Sequence, residues 1–401
     1  MAADDPDVAT GPIMFIAGTR PEAVKLAPLI LDLLARGQRP VLVATGQHPD
    51  MFDEALAGFG LQADHDLGLM AASPDAAVGR LVPMLADVVR ARQPAWVVVQ
   101  GDTSSTLAGA LAARYAGARL AHVEAGLRTG THDPHPEEMH RKLVAQMAQL
   151  HFAPTAAAAA ALAAEGVRAG VHVTGNSGID ALLLMRARLA HDPGLASLAA
   201  APLAQVPQHR PWLLATIHRR ENQGARLAAV LAALADLAGA VEIILPVHPN
   251  PAISGPVQSA LGGRAGVHLL PPLGYAAFVA LMGRVMLVLT DSGGVQEEAP
   301  ALGLPCLVLR DVTERPEAVA SGNAILLGCE TPVIVATAQQ IMHDAALRAS
   351  MSRPALPYGA GGAAQAINDV LLRQASASWP QNPESWSRSA AHHPRSRAPA
   401  R

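Results

Sequence analysis

The chain is short of cysteine, aromatic residues, lysine and long apolar runs, and each scarcity excludes something. Two cysteines in 401 residues, Cys306 and Cys329, are too few for a disulfide framework and lack metal-ligand spacing, which suits a reducing compartment. No stretch reaches the ~18 consecutive apolar residues that a membrane span needs. The acidic start Met1-Ala2-Ala3-Asp4-Asp5-Pro6-Asp7 lacks the apolar core of a secretory signal. The expectation is a soluble cytoplasmic protein. Neither sign of charge is in excess: 30 basic against 33 acidic residues give a formal net charge of -3, so no broad attraction to nucleic acid or anionic lipid is expected. Only Lys25 and Lys142 among the basic residues are lysines. Where arginine serves everywhere else, a surviving lysine gains a little weight as a compact, rotatable ammonium. What is abundant is apolar: 50% of residues are hydrophobic, punctuated by 34 Gly and 32 Pro. That excludes a wholly disordered chain and, at ~100–200 residues per domain, leaves room for two or three cored domains.

Short apolar runs alternate with longer helical periods from Ile13 to Arg373. Ile13–Ala17, Pro40–Ala44, Trp96–Gln100, Leu120–Glu124, Leu150–Ala153 and Val171–Thr174 read as strands of a first unit. Ala190–Arg210, with Pro193, Pro202 and Pro207, reads as a linker, and the pattern restarts at Trp212. Such runs between helices predict parallel strands covered on both faces, hence an α/β protein of two doubly wound domains facing across a cleft. The expected division is a flank 1–11, a first domain 12–189, a linker 190–210, a second domain 211–355, a C-terminal helix 356–375 and a disordered tail 376–401. One helix is expected over Pro332–Met351.

In doubly wound sheets, ligands bind beyond the carboxyl ends of the strands, so the loops there carry the chemical signals. Gly18-Thr19-Arg20-Pro21-Glu22 follows the first strand and opens a helix. It is no dinucleotide fingerprint, but Gly, a hydroxyl and Arg at a helix N-terminus suit an anion, and Lys25 lies one turn further on. Taken alone, these residues read more readily as a Thr cap followed by Pro, with a solvated Arg. The clearest signal is Thr290-Asp291-Ser292-Gly293-Gly294, where a strand ends and two glycines let backbone amides approach a phosphate. Glu298, a turn or two along, is placed to accept from a ribose diol. Asp102, Glu124 and Glu137 leave the ends of neighbouring elements and can meet on one rim, where a general acid and a general base would coexist. Asp102 can instead be a helix cap. His218, Arg219 and Arg220 open the second domain and suit a departing phosphate or a solvated basic turn. His132, His135 and His140 lack the helical pairing of a zinc motif, and no metal site is expected.

In combination and order, these loops make the sequence resemble the non-hydrolysing UDP-N-acetylglucosamine 2-epimerases from about Ile13 to Ile367. The resemblance is carried by Gly18-Thr19-Arg20-Pro21-Glu22-Ala23, Gly46-Gln47-His48, Gly101-Asp102-Thr103 and His122-Val123-Glu124-Ala125-Gly126-Leu127-Arg128. It continues in Pro136-Glu137-Glu138, His218-Arg219-Arg220-Glu221-Asn222, Asp291-Ser292-Gly293-Gly294 and Thr313-Glu314-Arg315-Pro316-Glu317. It implies two Rossmann-like domains of GT-B type, no metal or nicotinamide cofactor, a homodimer, and interconversion of UDP-GlcNAc with UDP-ManNAc. By motif, Arg20, His218, Ser292, Gly293 and Gly294 would hold the diphosphate, Phe278 the uracil and Glu298 the ribose. Asp102, Glu124 and Glu137 would surround the sugar with His218, and Lys25 and Arg315 would be supporting cations.

Several positions depart from the family pattern. Pro49 follows Gln47-His48 where Arg is common, and Ala71-Ala72-Ser73-Pro74 replaces a basic or amide-bearing stretch, which puts activation by a second substrate molecule in doubt. His135, His140 and Asn323 also depart and are expected on the sugar side. Three other functions stay open on sequence: a hydrolysing epimerase releasing ManNAc and UDP, a GT-B glycosyltransferase, and a silent nucleotide-sugar binder.

Overall fold

A computed structural model describes residues 11–47, 49–71 and 73–375. His48, Ala72, most of the amino-terminal flank and the tail after Ala375 lie outside the described residues. The first unit runs β1 (Ile13–Ala17), α1 (Arg20–Ala35), β2 (Val41–Ala44), α2 (Pro49–Gly58), β3 (His65–Asp66), α3 (Pro74–Arg92), β4 (Trp96–Gln100), α4 (Ser104–Tyr115) and β5 (Leu120–Val123). It continues through α5 (Glu137–Met147), β6 (Leu150–Ala153), α6 (Ala156–Ala164), β7 (Val171–Val173), α7 (Ser177–His191) and α8 (Pro193–Ala200). The second unit runs β8 (Trp212–Thr216), α9 (Ala225–Leu237), β9 (Glu242–Pro246), α10 (Pro251–Leu261), β10 (Val267–Leu270), α11 (Tyr275–Met282), β11 (Leu287–Thr290) and α12 (Gly293–Ala301). It ends with β12 (Cys306–Val308), α13 (Pro316–Ala320), β13 (Ala324–Leu326), α14 (Thr331–His343), α15 (Ala345–Met351) and α16 (Ala363–Ala375).

Both sheets are parallel, with strand orders β3-β2-β1-β4-β5-β6-β7 and β10-β9-β8-β11-β12-β13. The order reverses between β1 and β4 in one and between β8 and β11 in the other. Those two switch points open the crevices where such sheets take ligands. The inner strands β1, β4, β5, β6, β11 and β12 are buried along their whole length, which is why their apolar runs do not alternate with polar residues. In β1, Phe15 and Ala17 pack with α1 and α7, while Met14 and Ile16 face the Leu81, Leu85 and Ala108 side. In the second sheet, Leu213, Ile243 and Leu289 face α9 and α14, while Leu214, Ile244 and Val288 join the cluster that also holds Phe15, Phe52 and Ile179. One apolar core therefore continues from the first sheet into the second. The doubly wound, two-sheet architecture expected from the sequence is the one observed.

Local departures have local causes. The stretch 190–210 is helical over α8, which Asp192 caps by accepting the Leu195 N–H at 3.0 Å. The single helix expected over Pro332–Met351 is two: the chain leaves helical geometry at Asp344, whose carboxylate then caps α15 through the Ala346 and Leu347 amides, each 2.9 Å away. Prolines and a glycine hide α10 from the helical period, whereas α6 is the alanine-rich run after Thr155, nine residues of alanine and leucine whose composition reads as a short helix. α16 returns to the first unit. Its N-terminal amides at Gly362, Ala363 and Ala364 donate to Asp180 of α7, and Asn368 donates to the Leu29 carbonyl of α1 at 2.9 Å. Asn323, expected near the sugar, sits instead at the amino-terminal start of β13, buried, donating to the Met351 and Arg353 carbonyls. It fastens the end of α15 at the amino-terminal end of β13, the opposite end of the strand from the loops that carry the site.

Candidate active site

Four loops leave the two switch points and meet across the cleft: those after β1 and β4, and those after β8 and β11. The first is held by a knot at Glu22. This carboxylate, at the third position of α1, accepts from the Gly18 and Thr19 amides at 2.9 and 2.8 Å and from the Thr19 hydroxyl at 2.8 Å. Its other oxygen accepts from Thr103 at 2.7 Å, at the end of the loop after β4, and from Thr106 at 3.1 Å in the first turn of α4. A capping box thus becomes a tie between two active loops. Gly18 has no alternative there, because a Cβ would lie 1.9 Å from the Thr45 hydroxyl and 2.5 Å from that of Ser105. Glu22→Ala, which strands all these donors, is expected to cost about 3 kcal/mol, and Glu22→Gln, which keeps most of them, less than about 1 kcal/mol. Urea midpoints of the two variants check this, and equal losses would refute it.

Lys25, one turn on, is buried between carboxylates of both units. Its ammonium pairs closely with Glu124 and lies 3.0 Å from Glu297. Gln100 also donates to Glu124, at 3.0 Å. Arg315 binds Glu297 at 2.6 Å, pairs with Glu314 and reaches Glu124 at 3.9 Å. Glu314 in turn takes Arg310 at 2.7 Å and Arg219 at 3.3 Å, and Arg310 holds Glu221 at 2.7 Å. Four carboxylates and four cations therefore form one chain, most of it buried, from α1 to the loops after β8 and β12. Burial works against the ionised Glu297, but Arg315 and Lys25 hold its carboxyl below the usual range. The Arg315 guanidinium packs on Gly293, where a Cβ would lie 2.6 Å from it. Lys25 and Arg315, expected as supporting cations, are both engaged in this chain. Glu124 itself has φ +66, a left-handed conformation uncommon for a residue with a side chain.

The other two rim carboxylates stand differently. Asp102 does not cap α4, since Thr103 does. Its Oδ2 accepts from Arg141 Nε at 2.7 Å and Nη2 at 2.6 Å, and its backbone carbonyl accepts from His140 Nδ1 at 2.8 Å. Arg141 also holds Glu138 at 3.0 Å. Glu137, first residue of α5 and partly exposed, has no hydrogen-bond or ion-pair partner among the described residues. His140, one of three histidines considered for a metal, is thus committed to the backbone of Asp102. Among the described residues no three His, Cys, Asp or Glu side chains are grouped to hold a metal ion.

Across the cleft, Asp291 is fully buried at the end of β11 and receives the amides of His218 and Arg219 at 3.1 and 2.9 Å. It also takes Asn222 Nδ2 at 3.0 Å and stands 3.2 Å from His218 Nδ1. The His218 ring stacks on His248, centroids 6.1 Å apart. Desolvation first, then Arg219, His248 and Arg20, hold this imidazole below its ordinary pKa against the pull of Asp291. Ser292 stands at the N-cap position of α12 without a side-chain cap hydrogen bond, Gly293 is buried, and Gly294 faces open space. Arg20, from the first unit, donates to the Leu273 carbonyl at 2.7 Å. Glu298 accepts from Tyr275 at 2.8 Å, and burial pushes its carboxyl up to about 7. Phe278, on the same helix as Tyr275, is partly buried against the shared core.

Asp291, Glu297, Glu22, Arg141 and Tyr275 were assigned no role from the sequence. A buried acid looks like any other acid until its partners are placed, and those partners come from distant segments.

A sequence profile described as UDP-N-acetylglucosamine 2-epimerase matches residues 34–372. The UDP-N-acetylglucosamine 2-epimerase of Escherichia coli K12 is 40% identical over 368 residues, covering 90% of this chain and 98% of that protein. The crystal structure of UDP-GlcNAc 2-epimerase from Neisseria meningitidis bound to UDP-GlcNAc superposes with a TM-score of 0.86 at 37% identity, over 90% of this chain and all of that one. The Methanocaldococcus jannaschii enzyme in complex with UDP-GlcNAc and UDP gives 0.80 at 30% identity, over 90% and 99% of the two chains. With the fold, the switch-point loops and these likenesses together, the chain belongs to the UDP-N-acetylglucosamine 2-epimerase family.

Proposed function

We propose that this protein is a non-hydrolysing epimerase that interconverts UDP-GlcNAc and UDP-ManNAc, acting as a homodimer. The observation that carries the reading is the closure of the cleft by charge: Lys25 and Glu124 of one unit engage Glu297 and Arg315 of the other. A non-hydrolysing course needs such closure, because UDP and the sugar fragment must stay together and away from water between the two half-reactions.

The sugar C2–H has no adjacent carbonyl, so its direct removal at neutral pH is too slow. If the C1–O bond breaks and UDP departs with its electron pair, a base takes the C2 proton and the pair of the broken C2–H bond forms the C1=C2 bond of a 2-acetamidoglucal. Return of a proton to the opposite face of C2, with UDP adding back at C1, inverts the centre. Departure needs anion stabilisation, which Arg20, His218 and the Ser292-Gly293-Gly294 turn would supply to the diphosphate. Glu298 would take the ribose and Phe278 the uracil. Glu137, with no partner among the described residues, and Asp102, whose Oδ1 is left by Arg141, would move the protons. Glu124, committed to Lys25 and Gln100, would position the sugar.

Incubation with UDP-GlcNAc in deuterated water, followed by proton NMR, tests this. Deuterium at C2, a UDP-ManNAc signal and little free UDP are expected. Accumulating UDP and free ManNAc would identify the hydrolysing reaction, and absence of C2 exchange would refute epimerisation. Glu137→Gln is expected to slow exchange by about 100-fold or more, the range for losing a general acid or base. Unchanged turnover would remove Glu137 from the scheme.

A further inference from the structure

We propose that Asp291 is the positioning residue that sets the tautomer and orientation of His218, so that the two work as a carboxylate–imidazole dyad. This deepens the epimerase reading and rests on it. Asp291 stands at the last residue before the Ser-Gly-Gly turn and is inaccessible to solvent. Three hydrogen-bond donors from the loop after β8 converge on it, and the His218 ring approaches beside them. The backbone amides of His218 and Arg219 and the side-chain amide of Asn222 fix the loop, and the fourth contact is His218 Nδ1 at 3.2 Å. Asn222 is itself buried and held by the Leu309 carbonyl at 3.0 Å, so the carboxylate has little freedom to turn away.

An ionised carboxylate can only accept. Facing it, Nδ1 of a neutral imidazole must carry the hydrogen, and Nε2 is then the bare nitrogen left for the cleft. When a proton arrives at Nε2, Asp291 stabilises the resulting cation, and that proton is the one available to a phosphate oxygen as the C1–O bond breaks. The other charged and titratable neighbours of the ring oppose this cation: Arg219 in its own loop, His248 after β9 and Arg20 at the start of α1. Asp291 is the carboxylate that offsets them. A carboxylate serving only as a loop clamp would not need its fourth contact, and it is the fourth contact that the test addresses.

The tautomer is read directly, without substrate, by nitrogen NMR of protein labelled with 15N-histidine, the His218 signals being assigned by their loss in His218→Gln. In the unaltered protein the Nδ1–H form is expected, and an Nε2–H form would overturn the proposal even if Asp291→Asn fails to fold. In Asp291→Asn the side-chain amide presents a donor to Nδ1, so the population is expected to shift to Nε2–H. In the same variant kcat is expected to fall by about 100-fold with KM changed by less than about threefold. The alkaline limb of kcat/KM is expected to move about one unit to lower pH. On a His218→Gln background, Asp291→Asn is expected to cost under about threefold more. An unshifted tautomer and pH profile in Asp291→Asn, or equal losses with and without His218, would overturn the dyad. Because the NMR result does not depend on turnover, a chain that fails to epimerise would sink the reading above while leaving the tautomer result to stand by itself.

Discussion

Arg315→Met is expected to destabilise the protein by about 3–5 kcal/mol and to lower kcat/KM sharply. The size follows from what the guanidinium leaves behind. Arg315 is buried, binds Glu297 at 2.6 Å, pairs with Glu314 and stands 3.9 Å from Glu124. The chain of which it is part balances four carboxylates, Glu124, Glu297, Glu314 and Glu221, against Lys25, Arg219, Arg310 and Arg315. Remove one cation and a net negative charge remains where water cannot reach it. Breaking a buried pair from one side costs that much because the surviving partner is uncompensated, whatever the intact pair contributes on balance. Arg315→Met combined with Glu297→Gln is therefore expected to recover part of the loss, the two sites being directly coupled. Urea unfolding at neutral pH measures both. A single variant within about 1 kcal/mol of the parent, or a double variant worse than the sum of its parts, would refute the account. The kinetic loss has the same origin, since Glu297 is also the partner of Lys25, and through Lys25 the Glu124 carboxylate is held at the rim.

Legibility in the sequence divides along the same line between local and long-range physics. Strands such as Ile13–Ala17 and Trp96–Gln100 were readable because burial on both faces demands uninterrupted apolar runs, and the observed bounds match those read. Loops at the switch points were readable because Gly18-Thr19-Arg20 and Asp291-Ser292-Gly293-Gly294 combine backbone freedom, hydroxyls and charge just after a strand. The break at Asp344 was less so: a helical period runs through it, and only the cap geometry ends one helix and begins the next. Partner choice was not legible at all. Lys25 reads as a cation near an anion site, yet its neighbours are carboxylates 99 and 272 residues away in the chain. Glu297 and Glu298 are adjacent in sequence and opposite in environment. One is held ionised by two cations, and the other is kept near neutrality by burial beside Tyr275.

The second large effect is a pH dependence of stability carried by His122. This imidazole is wholly buried on β5, beside His151 of β6, and its Nε2–H donates to the Gly101 carbonyl at 2.7 Å, holding the loop that carries Asp102. Its Nδ1 has no hydrogen-bond partner among the described residues, as suits a neutral ring. Burial lowers its pKa from 6.5 to about 4. Between those values the unfolded chain binds a proton that the folded one refuses, so folding loses stability as pH falls from 6.5 and the loss is complete below 4. The full difference is about 3 kcal/mol, of which about 2 kcal/mol is gone by pH 5. His151, lowered for the same reason, acts in the same direction, while Glu298, raised to about 7, acts against it, since the folded state takes its proton first as pH falls. The total stability curve mixes these, so the informative quantity is a difference. His122→Gln keeps a donor for Gly101 and titrates nothing. Its stability deficit relative to the parent is expected to shrink by about 2 kcal/mol between pH 7.5 and pH 5 in urea unfolding. A deficit constant across that range would mean that the folded His122 accepts its proton as readily as a histidine in water, which a sealed ring between two strands does not permit.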